Sequence, residues 1–263
     1  MRRDSMPAAM TVAGSDSSSG AGLQADLKTF QVYGVHGLCA VTCVVAEHPG
    51  KVVSIQAVRP EILADQIRLN LEGFPVAAVK TGMLYSAQII GVVVAALSSA
   101  KRRPKLVVDP VMVATSGAEL LKPSAIKALC EGLLPMAELM TPNLDEAALL
   151  LGKPLPNVAA MREGAETLRA RFGCAVLLKG GHMPGKLAMD VLADGGDVAV
   201  FEAPYVKGAQ THGTGCTLSA AITAGLAKGL AMREAVGLGK AFVTRAIAGA
   251  KTIGQWRVLE YSG

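Results

Sequence analysis

The chain has 263 residues, 51% of them hydrophobic but only 4% aromatic, and a formal net charge of +5. That length can bury a large aliphatic core, and a single α/β domain over residues 1–263 is expected. The longest uncharged apolar window, Ser86 to Ala100, contains glycine, serines and glutamine, which makes it too short and too polar to span a bilayer. Met1-Arg2-Arg3-Asp4-Ser5 does not lead into a signal-peptide core, so a cytoplasmic location is expected, with no membrane partner. Cysteines 39, 43, 130, 174 and 216 are scattered without a Cys-x-x-Cys pair, against a disulfide framework or a zinc site. The basic cluster at residues 101–105 reads as a solvated turn rather than a nucleic-acid patch, and the mild positive charge suits small anionic ligands.

In chain order, Ala8 to Ala13 reads as a strand, followed by the glycine-rich turn of residues 14–22 and a helix from about Leu23 to Tyr33. No G-x-G-x-x-G stands at that strand end and no Walker pattern occurs anywhere, so nucleotide phosphates would have to be held in another way. Leu38–Ala46 and Val52–Val58, joined through Pro49-Gly50, read as a hairpin or flap. Helices and short apolar strands then alternate. The strands end in Thr81-Gly82-Met83, Asp109-Pro110-Val111-Met112, Thr141-Pro142-Asn143 and Lys179-Gly180-Gly181-His182. A second hairpin spans Ala188–Ala193 and Val198–Ala203, and helices near Pro123–Leu133 and from Met232 to about Ala250 are expected. The alternation predicts an open, mostly parallel sheet.

Thr211-His212-Gly213-Thr214-Gly215-Cys216-Thr217 precedes a small-residue helix. Glycines at the start of a helix let several N–H groups and the helix dipole face one anion. Cys216 stands in the first turn, where a lowered thiol pKa is expected, although a small core residue is the plainer reading. Ligands of such sheets sit outside the carboxyl ends of the strands, so Asp16, Glu47, Asp109, Asn143, Glu146 and Lys179 should converge there on the Gly213–Cys216 turn. Asn143 and Glu146 also read as a helix capping box. As a set, two acids able to hold Mg²⁺ through water, a lysine and an anion-binding helix start are the parts of a phosphoryl-transfer site.

The stretches AGSDSSSGAGLQADLKTF, VKTGML, VVDPVMVATSG, TPNLDEAALLLG, LLKGGH and THGTGCTLSAAI, in this order, resemble the hydroxymethylpyrimidine/phosphomethylpyrimidine kinases of thiamine biosynthesis. These belong to the ribokinase-like superfamily, in the branch shared with pyridoxal kinases, and the match runs from about Ala8 to Ala250. The resemblance implies a three-layer αβα fold with a mostly parallel central sheet and a small β flap. It implies ATP and Mg²⁺ as cofactors, hydroxymethylpyrimidine and its phosphate as substrates, and a homodimer formed through the flap. Gly213, Thr214, Gly215 and Cys216 correspond to the anion hole, with Cys216 where sugar kinases carry an aspartate base. Asp109 and Glu146 correspond to the Mg²⁺-associated acids. Asn143, Lys179, Thr214 and Lys240 correspond to nucleotide-binding positions, Lys179 also to a catalytic one. Gly14, Asp26, Glu47, Met83 and Val111 correspond to the ring pocket, although Asp26 also reads as a helix-surface residue beside Lys28. Position 47 is often glutamine in these kinases, and an ionised Glu47 can only accept hydrogen bonds. That departure leaves room for a pyridoxine or pyridoxal kinase. A lyase acting on a hydrated nicotinamide cofactor and a nucleotide-binding regulator are the other readings.

Overall fold

The computed structural model describes residues 5–112, 121–181, 183, 185–206 and 212–262. Strands β1 (Ala8–Asp16), β2 (His36–His48), β3 (Lys51–Ala57), β4 (Val76–Thr81), β5 (Lys105–Val108), β6 (Leu139–Met140), β7 (Ala175–Gly180), β8 (Leu187–Ala193) and β9 (Ala199–Pro204) form one sheet. Its order is β3-β2-β1-β4-β5-β6-β7-β8-β9. The pairs from β2 through β1, β4, β5 and β6 to β7 are parallel, whereas β3, β8 and β9 run antiparallel to their neighbours. Parallel strands are covered on both faces, which is why β1 and β4 to β7 are short, nearly unbroken apolar runs.

The pleat divides each strand between two cores. Leu106 and Val108 join one cluster, with α2 (Pro60–Gly73), α3 (Ala87–Ser98), α4 (Pro123–Ala128), α5 (Leu144–Leu151) and α6 (Val158–Phe172). Val107 joins the other, with α1 (Gly22–Val32), α7 (Thr214–Ala227) and α8 (Met232–Ala248). From Thr217 to Ala227 α7 is buried at every residue, so its Ala, Ser, Thr and Gly content reflects close packing against α1, α8 and the sheet. The outcome is the expected three-layer α/β arrangement, with β2 and β3 as the flap beyond the sheet's main body.

Two boundaries differ from expectation. The helix expected near Pro123–Leu133 is α-helical only to Ala128. A π turn over Leu129–Leu133 and a 3₁₀ turn over Leu134–Met136 follow, with Pro135 withholding an N–H from any continuing helix. The last helix stops at Ala248, and the chain continues into a small hairpin, β10 (Lys251–Ile253) and β11 (Trp256–Val258). Trp256 meets His48 of the flap at 5.2 Å between ring centroids, and the Tyr261 hydroxyl lies 2.9 Å from Thr217 Oγ1 on α7. The tail thus joins the flap to the helix on which the site is built. The expected lid segments, 179–185 and 207–212, include residues 182, 184 and 207–211, which lie outside the described residues.

Candidate active site

A cavity of about 500 Å³ opens along the carboxyl edge of the sheet. Asp16, Glu47, Asp109, Asn143, Glu146 and Lys179 all line it, together with the Gly213–Cys216 turn. So do Gly14, Met83 and Val111, on or just after strands β1, β4 and β5, and Lys240, which is held by Asp190 of β8 further along the sheet. These residues come from eight different segments, and a parallel sheet delivers its strand ends to one edge.

The turn opening α7 is built by contact with the first loop. Gly213 has φ +83°, a left-handed conformation that side chains rarely adopt, and a Cβ there would stand 1.8 Å from the Gly20 carbonyl oxygen. Only glycine allows so close an approach. His212 Nε2 lies 2.9 Å from Asp16 Oδ2, while Ser18, Gly20 and Ala21 donate backbone N–H groups to the same carboxylate. Burial would raise the pKa of Asp16, but the hydrogen bonds from His212, Ser18 and Ala21 outweigh it and hold the carboxyl well below its usual range. An ionised Asp16 therefore clamps the glycine-rich first loop to the α7 turn.

Lys179 stands above that turn. Its backbone N–H donates to Pro142 O at 2.8 Å, and its Nζ donates to Asp109 Oδ1 at 2.8 Å. A Cβ on Gly215 would lie 3.2 Å from the same Nζ, so the ammonium is stationed directly beside the turn. Burial opposes the charge of Asp109, yet Lys179 and Lys80 hold its carboxyl below the ordinary value. Glu146 is different. Burial, aided by Asp109, outweighs the Lys179 charge and pushes it up to about 7. It also completes the capping box: Asn143 N donates to Oε2 and Glu146 N to Asn143 Oδ1, each at 2.8 Å. Cap and site residue are here the same side chains.

Beside the flap, Ser17 Oγ donates to Glu47 O at 2.7 Å and accepts from Glu47 N at 2.9 Å, pinning the flap to the first loop. The ligand atoms of Asp16, Glu47 and His212 lie within 4.8 Å of one another. Burial and the Asp16 charge raise the Glu47 pKa, with His212 opposing. On the β8 side Lys240 Nζ donates to Asp190 Oδ2 at 2.7 Å, and Asp190 Oδ1 accepts the Gly180 N–H at 3.0 Å.

Two expectations need correction. Cys216 does not have a lowered pKa: burial of its thiol pushes it up to about 11, since Lys80 and the Gly22 N–H only partly offset desolvation and the nearby Asp109 and Asp26 charges. The sulfur is a neutral thiol at physiological pH. Asp26 neither lines the cavity nor sits on a helix surface beside Lys28. It is fully buried beneath the pocket, with Lys80 Nζ 2.9 Å from its carboxylate and Thr11 Oγ1 donating to Oδ2 at 2.6 Å. Lys80, Asp190, Thr141 and Ser219 went unnoticed in the sequence. The signal for the first two was a lone charge inside an apolar strand, AAVKT and LAMDVLA.

The family model described as phosphomethylpyrimidine kinase matches residues 16–259. The chain is 45% identical, over 95% of its length and 94% of the relative's, to a hydroxymethylpyrimidine/phosphomethylpyrimidine kinase of Rhizobium meliloti. Among solved structures, phosphomethylpyrimidine kinase from Clostridium difficile superposes with a TM-score of 0.81 at 40% identity, covering 92% of this chain and 99% of that one. The ADP complex of Bacillus subtilis pyridoxal kinase superposes with a TM-score of 0.89 at 38% identity, covering 98% of both chains. The ribokinase-like architecture thus agrees with the relatives, and the chain belongs to the phosphomethylpyrimidine kinase family, the kinases of hydroxymethylpyrimidine and its monophosphate in thiamine synthesis.

Proposed function

We propose that this chain transfers the γ-phosphoryl group of ATP to the hydroxymethyl oxygen of 4-amino-5-hydroxymethyl-2-methylpyrimidine, and a second one to the phosphate so formed. The observation that carries this is the cavity itself. The strands from β2 to β5 bring Glu47 and the apolar Met83 and Val111 to a flat ring bearing an amine, and the β7 and β8 side brings Lys179 and Lys240 to polyphosphate. The α7 turn at Gly213–Cys216 lies between them and is the anion hole for the transferring group. Lys179 neutralises its oxygens, and Asn143, Thr214 and Lys240 contact the nucleotide. Cys216 acts as a neutral thiol facing the acceptor oxygen rather than as a thiolate base. A loose phosphoryl-transfer transition state asks little of a base. The acceptor oxygen bonds to the γ-phosphorus as the bond from that phosphorus to the ADP oxygen breaks; ADP departs with that oxygen, and the hydroxyl proton passes late to an oxygen of the transferred phosphoryl group.

Mg²⁺ fits Asp109 and Glu146. One buried acid is already compensated by Lys179, while the second is left with a raised pKa that an ion held through water would relieve. The ion would supply charge neutralisation on the nucleotide phosphates. Because the folded pKa of Glu146 is raised, ionising it costs stability as pH climbs through about 7, and a cation offsets that cost. Added Mg²⁺ therefore raises the Tm of the nucleotide-free protein more at pH ~8 than at pH ~6, and Glu146→Gln abolishes the difference. A pH-independent shift in the wild type contradicts the assignment. The protein is a homodimer formed through the flap and works in the cytoplasm; among the described residues no helix is long and apolar enough to cross a membrane.

The deciding experiment supplies ATP and Mg²⁺ with hydroxymethylpyrimidine, its monophosphate or pyridoxine in separate tubes and resolves products by mass. Pyrimidine pyrophosphate from the monophosphate is the expected product. Turnover of pyridoxine alone would move the assignment to vitamin B6 salvage. Glu47 should make ring binding pH-dependent, because its carboxylate accepts from the exocyclic amine and favours a protonated ring nitrogen only when ionised. KM for the pyrimidine then varies from mildly acidic to mildly alkaline pH in the wild type and flattens in Glu47→Gln. Parallel curves for the two proteins would sink the idea.

A further inference from the structure

Below the catalytic lysine runs a short line of oxygens whose two middle members, the hydroxyls of Thr141 and Ser219, no assigned role uses. Asp109 Oδ1 lies 3.4 Å from Thr141 Oγ1, Thr141 Oγ1 lies 2.8 Å from Ser219 Oγ, and Ser219 Oγ lies 3.0 Å from the Gly215 carbonyl oxygen. Thr141 and Ser219 are both 0% exposed, so neither hydroxyl has solvent as a partner. The line joins the sheet edge to α7. Thr141 follows β6 directly, Ser219 sits one turn into α7, and the two are 78 residues apart in the chain.

The protons can be counted. An ionised carboxylate stands at one end and a carbonyl at the other, and both only accept. Between them two hydroxyls supply two protons for three gaps. Two oxygens 2.8 Å apart need a proton between them, so the Thr141–Ser219 gap is always bridged. Two arrangements remain. Thr141 donates to Ser219 and Ser219 to Gly215 O, or Ser219 donates to Thr141 and Thr141 to Asp109. The lengths favour the first, because the Asp109–Thr141 gap, at 3.4 Å, is the longest of the three. Asp109 Oδ1 has its proton donor elsewhere, in Lys179. Any event that draws Lys179 away from Asp109 favours the second arrangement, and both hydroxyls must turn together.

We infer that Thr141 and Ser219 are positioning residues for phosphoryl transfer: a two-hydroxyl relay that couples the Asp109 carboxylate to the Gly215 carbonyl of the anion-binding turn. The inference rests on the reading of Gly213–Cys216 and Lys179 as the phosphoryl site. The relay fixes the orientation of the Gly215 peptide while Lys179 is on Asp109, and satisfies Asp109 when Lys179 follows the transferring group. A plain helix back-bond from Ser219 to Gly215 would stabilise α7 without linking it to Asp109.

The test measures steady-state kinetics and Tm for Thr141→Val, Ser219→Ala, their combination and Thr141→Ser. Each hydroxyl-free variant should lose about 10- to 100-fold in kcat, with KM for ATP and pyrimidine within about threefold of wild type. The double variant should lose no more than the worse single, because one relay is broken in every case. Thr141→Ser should recover most of the kcat. Multiplying losses, unchanged kcat, or a Thr141→Ser variant no better than Thr141→Val each overturn the inference. Ser219→Ala removes a single atom at a helical position, so it carries the kcat comparison if Thr141→Val does not fold. Lys179→Met separates the two levels of argument. If it is inactive while the hydroxyl variants are fully active, only the relay fails; if it is active, the phosphoryl site itself is misplaced.

Discussion

Lys179→Met is expected to lower kcat by about three orders of magnitude while leaving the pyrimidine KM nearly unchanged. The Nζ is 2.8 Å from Asp109 and adjoins Gly215, where charge on the transferring phosphoryl group has to be neutralised. Removing one preorganised charge or donor from such a site costs roughly 10²- to 10³-fold in rate, and a lysine neutralising phosphoryl oxygens in a partly dry cavity falls at the upper end. Lys179→Arg should recover little. The guanidinium is planar and larger, and the ammonium stands where a Gly215 Cβ would already be at 3.2 Å. Tm should fall only modestly, because Asp109 keeps Lys80 as a neighbouring charge and its site faces the cavity. A kcat within tenfold of wild type would remove Lys179 from the chemistry.

Lys80→Met carries the largest expected effect on folding. Lys80 Nζ lies 2.9 Å from each oxygen of Asp26, with hydrogen-bond geometry to Oδ2 only, and both side chains are 0% exposed. Burial disfavours the ammonium, but Asp26 overcomes it and raises the Lys80 pKa; on the carboxyl side burial outweighs Lys80 and Thr11 and raises the Asp26 pKa, so the acid depends on its lysine to stay charged. Taking away the lysine leaves a dry acid without its partner, which must stay charged and uncompensated or take up a proton, and breaking a buried pair in this way costs about 3–5 kcal/mol. Removing both charges, as in Lys80→Met with Asp26→Leu, should return most of that loss, because neither desolvated charge remains. Urea denaturation of the singles and the double closes the cycle. An additive double would mean that the two charges do not compensate each other. The pair joins β4 to α1 under the pocket floor, so Lys80→Met should also reduce turnover in the fraction that still folds.

The strand ends were legible because a parallel strand is apolar until it leaves the sheet. Asp16, Asp109, Asn143 and Lys179 each follow such a run, and all of them meet in one cavity. Asn143 and Glu146 were legible twice over, as a capping box and as residues of the sheet edge, and they form the box while lining the cavity. The terminal hairpin was not legible: β10 and β11 have three residues each, too few to show an alternation. Asp26 and Lys80 were misread or missed because each looks ordinary in its own segment. Their meaning lies in a partner 54 residues away.

Composition, the order of strands and helices, the glycines of the first loop and of the α7 turn, and the identity of the residues at the sheet edge follow from the sequence by itself. They depend on local conformational preference and on burial periodicity, both of which are properties of short segments. What only the tertiary structure decided is charge state and pairing. A helix N-terminus favours a thiolate, yet burial overrides it and keeps Cys216 neutral, with its pKa pushed up to about 11. Lys179 with Asp109, Lys240 with Asp190 and Lys80 with Asp26 neutralise one another across 50 to 70 residues of chain. Desolvation and Coulomb energies depend on what surrounds a group in three dimensions, and no local pattern of residues encodes that surrounding.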